Sequence, residues 1–181
     1  MTQLRIFSEQ TPETPVLETT EFERIQHELA QNGIRLQRWQ ADQAICAEST
    51  AEEILAAYQT DINRLVDEGG YQSWDVISMH PQHLDKAVFR EKFLAEHTHS
   101  EDEVRFFVRG SGLFTLHLNG QVFAVLCEKD DLISVPAGTR HWFDMGPNPE
   151  FTAIRLFNNP EGWVANFTGE PIADQFPRLE N

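Results

Sequence analysis

Four side chains able to bind a metal fall in two short stretches. His97, His99 and Glu103 lie in His97-Thr98-His99-Ser100-Glu101-Asp102-Glu103, and His141 ends Pro136-Ala137-Gly138-Thr139-Arg140-His141. If residues 92–108 form one β-strand, side chains alternate between its faces. His97, His99 and Glu103 then share a face, with Glu101 and Arg105 in the same row. Imidazole nitrogen with carboxylate oxygen suits divalent Fe, Ni, Mn or Zn, and two His with one carboxylate is the recurring minimal set of an oxygen-activating iron site. His141 makes a fourth ligand. Four protein ligands saturate tetrahedral Zn but leave two positions open on an octahedral ion, so the set favours an Fe-like or Ni-like site. A His-x-His pair with acidic neighbours also fits an exposed polar strand, and the pair alone does not separate the two.

Around this set stand residues that suit a pocket. Arg105, two beyond Glu103, faces either an anionic ligand, where a permanent forked charge helps most, or a surface partner such as Glu101 or Asp102. Arg155 lies mid-strand in an apolar run with Phe151, Ala153 and Phe157 on its own face, so it either snorkels at an edge or lines a pocket. Phe93 and Phe143 share the ligand parity of their segments and are candidate cavity walls, though aromatic residues there also suit an ordinary core. The other histidines fit less well. His27 is on the polar side of a helix, Pro81 holds His80 extended with no carboxylate following His83 at strand spacing, and His117 has the opposite parity to its apolar neighbours.

The elements that must position these residues are mainly strands. After Glu103 the sequence runs Val104-Arg105-Phe106-Phe107-Val108-Arg109-Gly110, then alternates through Phe114, Leu116 and Leu118 to Asn119-Gly120, the two-residue hairpin signal. Strands are expected from the start through Ser8, over 34–39, around Trp74–Ile77, and over 121–125, 132–135 and 151–157, with residues 89–94 leading into the ligand strand. Pro136-Ala137-Gly138 reads as the turn that delivers His141. Two helices precede them. Thr20-Glu21-Phe22-Glu23 and Thr50-Ala51-Glu52-Glu53 both read as capping boxes. Phe22, Ile25 and Leu29 form one stripe ending at Gly33, and Leu55, Tyr58, Ile62 and Leu65 form another ending at Gly69-Gly70. Many short strands with regular turns suit a jelly-roll β-barrel, giving an α+β, mainly β fold with helices packed outside, mostly from the N-terminal third. The expected division of one domain over 1–181 is a helix-containing part over 1–70, a barrel core with the metal site over 71–157, and a C-terminal loop segment over 158–181. Trp163 and Phe167 suggest that this last segment is packed down.

The 181 residues suffice for one domain with a sizeable core, and 40% hydrophobic with 24% charged residues is ordinary for a globular protein. A net charge of −15 argues against nucleic acid and against an anionic membrane surface. It also means that an anionic substrate needs local positive charge in its pocket. Cys46 and Cys127 are far apart, without Cys-x-x-Cys spacing, so neither a disulfide framework nor a thiolate metal site is indicated. The N-terminal residues lack the basic start and apolar run of a signal peptide, and no stretch approaches a membrane span. A cytoplasmic protein is expected. The charge and the lack of an obvious exposed apolar helix point to a monomer.

His97-x-His99, Glu103 and Gly110 at their spacing resemble the first cupin motif, and Pro136-x-Gly138-x-x-His141 resembles the second. Glu91 and Asp130 stand where cupins usually have Gly, and Met145 where they usually have Asn. More narrowly, His97-Thr98-His99-Ser100-Glu101-Asp102-Glu103-Val104-Arg105, Ala137-Gly138-Thr139-Arg140-His141-Trp142-Phe143-Asp144, Arg155-Leu156-Phe157 and Gly162-Trp163 resemble the bacterial acireductone dioxygenase family over nearly the whole chain. The resemblance implies a cupin-type barrel. It also implies one Fe(II) or Ni(II) per chain, and an anionic acireductone, 1,2-dihydroxy-3-keto-5-methylthiopentene, cleaved with dioxygen in methionine salvage. It further implies that the iron form yields 4-methylthio-2-oxobutanoate and formate, and the nickel form 3-methylthiopropanoate, formate and carbon monoxide. Another metal-dependent cupin dioxygenase or isomerase would keep the four ligands with a different wall, and a non-catalytic small-ligand-binding barrel would have no need of them.

Overall fold

The alternating segments build two antiparallel sheets that share one long strand. In the computed structural model, which describes residues 1–159 and 164–180, the chain opens with β1 (Gln3–Ser8), β2 (Leu17–Thr19), α1 (Phe22–Ala30), β3 (Arg35–Arg38), α2 (Ala51–Ala57) and α3 (Gln59–Gly69). It continues through β4 (Ser73–Met79), α4 (Lys86–Leu94), β5 (His97–Thr98), β6 (Glu103–Leu118), β7 (Gln121–Glu128) and β8 (Asp131–Val135). It closes with β9 (Arg140–Asp144), β10 (Phe151–Phe157), β11 (Asn166–Phe167) and a 3₁₀ turn at Pro171–Gln175.

The first half of β6 pairs with β8 and β10, which β3 and β4 extend. Its second half pairs with β7 and β9, and β1, β2, β5 and β11 complete that sheet. The exchange of partners falls at Gly110, whose φ is 74° and where a Cβ would run into the Glu150 carbonyl, so only glycine fits. Asn119 and Gly120 both take positive φ, 51° and 76°, as a two-residue turn between β6 and β7 requires.

Parity divides the apolar residues into three clusters. Phe107, Phe114, Leu116, Ile133, Phe143 and Ala153 point between the sheets and fill the barrel. Val104, Phe106, Ile154 and Leu156 point out of the first sheet and are covered by Ile54, Tyr58, Ile62 and Leu65 of α2 and α3. Trp142, Val122 and Phe7 point out of the second sheet against Ala173 and Phe176. This is a cupin-type jelly roll with helices outside. Because ligands and core share the inward parity, the strands that fill the barrel also aim chemistry into it.

Several expectations need correction. Residues 92–108 are not one strand: α4 ends at Leu94, β5 holds two residues, and the chain bends before β6 begins at Glu103. The bend is tied down, since Gly138 N donates to His99 O and Ala137 N donates to the Asp102 carboxylate. Residues 89–94 are therefore helix rather than a lead-in strand. The Thr20–Glu23 box does not form; Glu21 is the N-cap without a side-chain bond, and Thr19 accepts from Glu21 N instead. The Thr50–Glu53 box does form. The stripe after it is two helices, broken at Tyr58 with φ −115° and ψ 15°. Asp130 adopts φ 75° where cupins usually have Gly, a conformation Asp tolerates better than most residues. Trp163 lies outside the described residues. Phe167 is 52% exposed, so Ala173 and Phe176, not Phe167, anchor the C-terminal segment. Cys46 and Cys127 are both free. Among the described residues no helix is long and apolar enough to cross a membrane.

Candidate metal centre

His97, His99 and His141 meet at one end of the barrel, each with a nitrogen within 4.8 Å of the others, and all three are buried. His97 on β5 is directly opposite His141 on β9, which fixes that pair by register. Their ring centroids are 4.6 Å apart, and His99 is 5.0 and 5.1 Å from them. Glu103, at the start of β6, reaches the same point, with Oε2 at 2.9 Å from His141 Nε2 and 3.4 Å from His99 Nε2.

The hydrogen bonds fit this set to a cation. Each Nδ1 faces a backbone carbonyl: Ala95 O at 2.7 Å for His97, Val164 O at 3.2 Å for His99 and Thr139 O at 2.8 Å for His141. Carbonyls only accept, so Nδ1 carries the hydrogen and a neutral ring turns its Nε2 lone pair towards the other donors. There it meets the Glu103 carboxylate, also an acceptor. Acceptors converging in a buried space need positive charge between them, from protons or from a divalent ion, and the carbonyl-to-Nδ1 support is the usual outer shell of a metal-binding histidine.

Electrostatics follow the same logic. Burial opposes ionisation of Glu103, but the Arg105 guanidinium and hydrogen bonds from His141 and His99 outweigh it and hold the carboxyl well below its usual range. Burial, then repulsion from His141, pushes His97 down to about 4, so this ring stays neutral. Burial also opposes charge on His99, yet its hydrogen bond and attraction to Glu103 prevail and raise its pKa. Without a metal, the proton of the cluster therefore rests beside Glu103 rather than on His97.

Beside the donors opens a cavity of about 440 Å³. Ile77, Met79, Phe89, Phe93, Phe143, Met145 and Phe151 give it apolar walls, and Ser78, His83, Lys92, Arg105 and Arg155 give polar ones. Phe143 lines the cavity from β9, as its strand parity suggested, whereas Phe93 reaches it from helix α4, where strand parity does not apply. Arg105 is 7% exposed, and its partner is Glu103 at 2.8 Å, not Glu101 or Asp102 on the surface. Its guanidinium lies 4.6 Å over the Phe143 ring, a cation–π contact. Arg155 lines the cavity and is also bound to Asp75 at 2.9 and 2.5 Å. His117 sits apart from the cluster, between Glu96 at 2.7 Å and Glu9 at 3.0 Å. Sequence reasoning missed Phe89, Lys92 and His83. The signal for the first two was the i, i+3, i+4 spacing of Phe89, Lys92 and Phe93 on a helix.

Fold and donor set together define a metal-binding cupin barrel with an adjoining small-molecule cavity. A family model described as ARD/ARD' family matches residues 3–165, and the chain belongs to that family. An acireductone dioxygenase of Serratia proteamaculans (strain 568) is 59% identical over 180 residues, covering 99% of this chain and all of the relative. One from Yersinia enterocolitica is 58% identical over the same length, again covering 99% of this chain and all of the relative. The solved structure of an acireductone dioxygenase from Bacillus anthracis, with a cadmium ion in its active centre, matches at TM-score 0.80 and 30% identity, covering 92% of this chain and 98% of that one.

Proposed function

We propose that the chain is a metal-dependent dioxygenase that cleaves an acireductone, 1,2-dihydroxy-3-keto-5-methylthiopentene, in methionine salvage, with His97, His99, Glu103 and His141 holding one Fe(II) or Ni(II). The observation that carries this reading is a convergent set of three imidazoles, with the Glu103 carboxylate within 3.4 Å of two of them, beside a cavity whose other walls are largely apolar. His97, His99, Glu103 and His141 would hold a divalent ion there that would supply Lewis acidity towards the enediol, whose own electron-rich carbons can give electrons to dioxygen.

The chain's own residues do the positioning. Such a substrate has a polar, anionic end and an apolar methylthio tail, and the cavity offers partners for both, the donors with Arg105 and Arg155 on the one hand and apolar walls on the other. Arg105, held by Glu103, sets positive charge beside the donors where the enediolate oxygens would lie. Phe143 beneath it and Phe93 on α4 are apolar walls of the cavity, and a polar contact made among such walls is stronger than one made in water. Arg155, steered by Asp75, is the second candidate for contact with substrate oxygens. The free cysteines fit a reducing compartment, the cytoplasm, and the net charge of −15 fits a monomer.

The test is metal removal and reloading with product analysis. Chelated protein should lose turnover. With Fe(II) it should form 4-methylthio-2-oxobutanoate and formate, and with Ni(II) 3-methylthiopropanoate, formate and carbon monoxide. Undiminished turnover after complete metal removal would refute the reading, and turnover with Ni(II) giving no carbon monoxide in the headspace would refute its product assignment.

A further inference from the structure

We propose that Lys92 is the residue that draws the anionic substrate into the cavity and sets its affinity, through a positive charge that no described residue pairs. The inference rests on the proposed function, since it presumes an enediolate-type anion as substrate.

Helix α4 uses its basic residues in two ways. Lys86 reaches Asn148 and Arg90 reaches Asp144 at 2.7 Å, docking one side of the helix on the end of β9 and the chain that follows it. Phe89, Lys92 and Phe93 occupy the other side and line the cavity. Lys92 is exposed yet part of that lining, which puts its ammonium at the mouth.

The three cavity cations differ in their partners. Arg105 is paired with Glu103 at 2.8 Å, and Arg155 with Asp75 at 2.9 Å. Pairs this tight act as dipoles beyond a few ångströms, so they attract a distant anion weakly. Among the described residues nothing pairs with Lys92. It is one of only three lysines in a chain of net charge −15, whose general field repels an anion. A lone charge at the mouth of a low-dielectric cleft is where a local field opposes that repulsion best. Arg105 then orders the substrate after entry, and Lys92 governs entry and affinity.

The test is an anaerobic titration of the metal-loaded protein with the acireductone, followed by its absorbance, at low and at high salt. Lys92→Met should weaken binding roughly three- to ten-fold at low ionic strength, and the gap should close in ~0.5 M salt as screening sets in. In air, kcat/KM should fall by the same factor while kcat moves less than about two-fold. Lys92→Arg should bind like wild type. Lys129→Met makes the same change in net charge from the β7–β8 turn, outside the cavity lining, and should also bind like wild type. Wild-type affinity in Lys92→Met at low salt overturns the inference, as does an equal loss in Lys129→Met, which would make the effect one of global charge. A wild-type protein that neither binds nor turns over the acireductone removes the proposed function first, and this inference with it.

Discussion

Neutralising Glu103 or Arg105, alone and together, measures how far the centre depends on its buried ion pair. The two lie two residues apart on the inward face of β6, 4% and 7% exposed, and bonded at 2.8 Å. Glu103→Gln leaves a guanidinium in the barrel without its counter-charge, and Arg105→Met leaves a carboxylate in the same position. Breaking such a pair from one side costs ~3–5 kcal/mol, whereas removing both charges costs much less. We take the lower end, because His99 and His141 remain as hydrogen-bond partners of residue 103. In metal-free protein each single variant should lose ~3 kcal/mol, and the double variant no more than either, a coupling of ~3 kcal/mol. With a urea slope of ~2 kcal/mol per molar, each midpoint should fall by roughly 1.5 M. Metal must be absent, because bound metal stabilises by mass action and would mask the pair. Metal analysis then separates the partners: Arg105→Met should still load, and Glu103→Gln should load poorly. Additive losses, with the double variant down by ~6 kcal/mol, would show that the pair contributes nothing as a pair.

Two further outcomes follow from the same centre. The His97 ring has a folded pKa of about 4 against an ordinary 6.5, so as pH falls the unfolded chain takes the proton first. Its contribution therefore destabilises the metal-free protein progressively from pH 6.5 to 4, by ~3 kcal/mol. His97→Gln should flatten urea stability across that window, whereas His99→Gln, removing a ring whose pKa is raised and which stabilises the fold at low pH, should steepen it; equal slopes in wild type and His97→Gln would refute the assignment. Gly112 packs against Phe143, and a Cβ there would overlap the ring edge and approach Phe107 to 3.3 Å. Gly112→Ala should lower stability by ~1–3 kcal/mol through overpacking and reduce kcat/KM with metal content unchanged, so wild-type melting and kinetics in this variant would show that Phe143 gives way freely.

How much of this was legible in the sequence depends on whether local pattern or distant packing decides. The ligand grouping was visible because parity survives the bend at Ser100–Asp102, so His97, His99 and Glu103 still meet although no single strand carries them. The Asn119-Gly120 turn and the strand over Phe151–Phe157 were visible because turn chemistry and alternation are local. Helix α4 was not. It has no buried residue, and its side chains dock through Lys86 and Arg90 on residues 54–62 positions away in sequence. The capping box at Thr20 failed for a related reason. Leu17–Thr19 pairs with β1, and this short strand commits Thr19 and Thr20 to the approach before the helix begins. Arg105's role stayed open in the sequence between the pocket and neighbours such as Glu101 or Asp102, and only its burial beside Glu103 decides against those neighbours.

Strand β9 joins the two halves of the site. His141 at one end faces the donors, Phe143 lines the cavity, and Asp144 at the other end is buried where it accepts from Arg90, from Gly146 N at 2.8 Å and from Leu179 N at 2.8 Å. Asp144 therefore binds α4, the following loop and the C-terminal segment through one carboxylate. The helix that presents Phe89, Lys92 and Phe93 is thereby referenced to the strand that presents His141, although α4 makes no apolar core of its own. A displaced Asp144 would move the cavity wall relative to the donors without touching either. Four hydrogen bonds from three partners on one buried group, two of them from the Arg90 guanidinium, give that link its rigidity. The polar end and the apolar wall of the cavity thus share a single ruler, and the distance between them is set by five residues of strand.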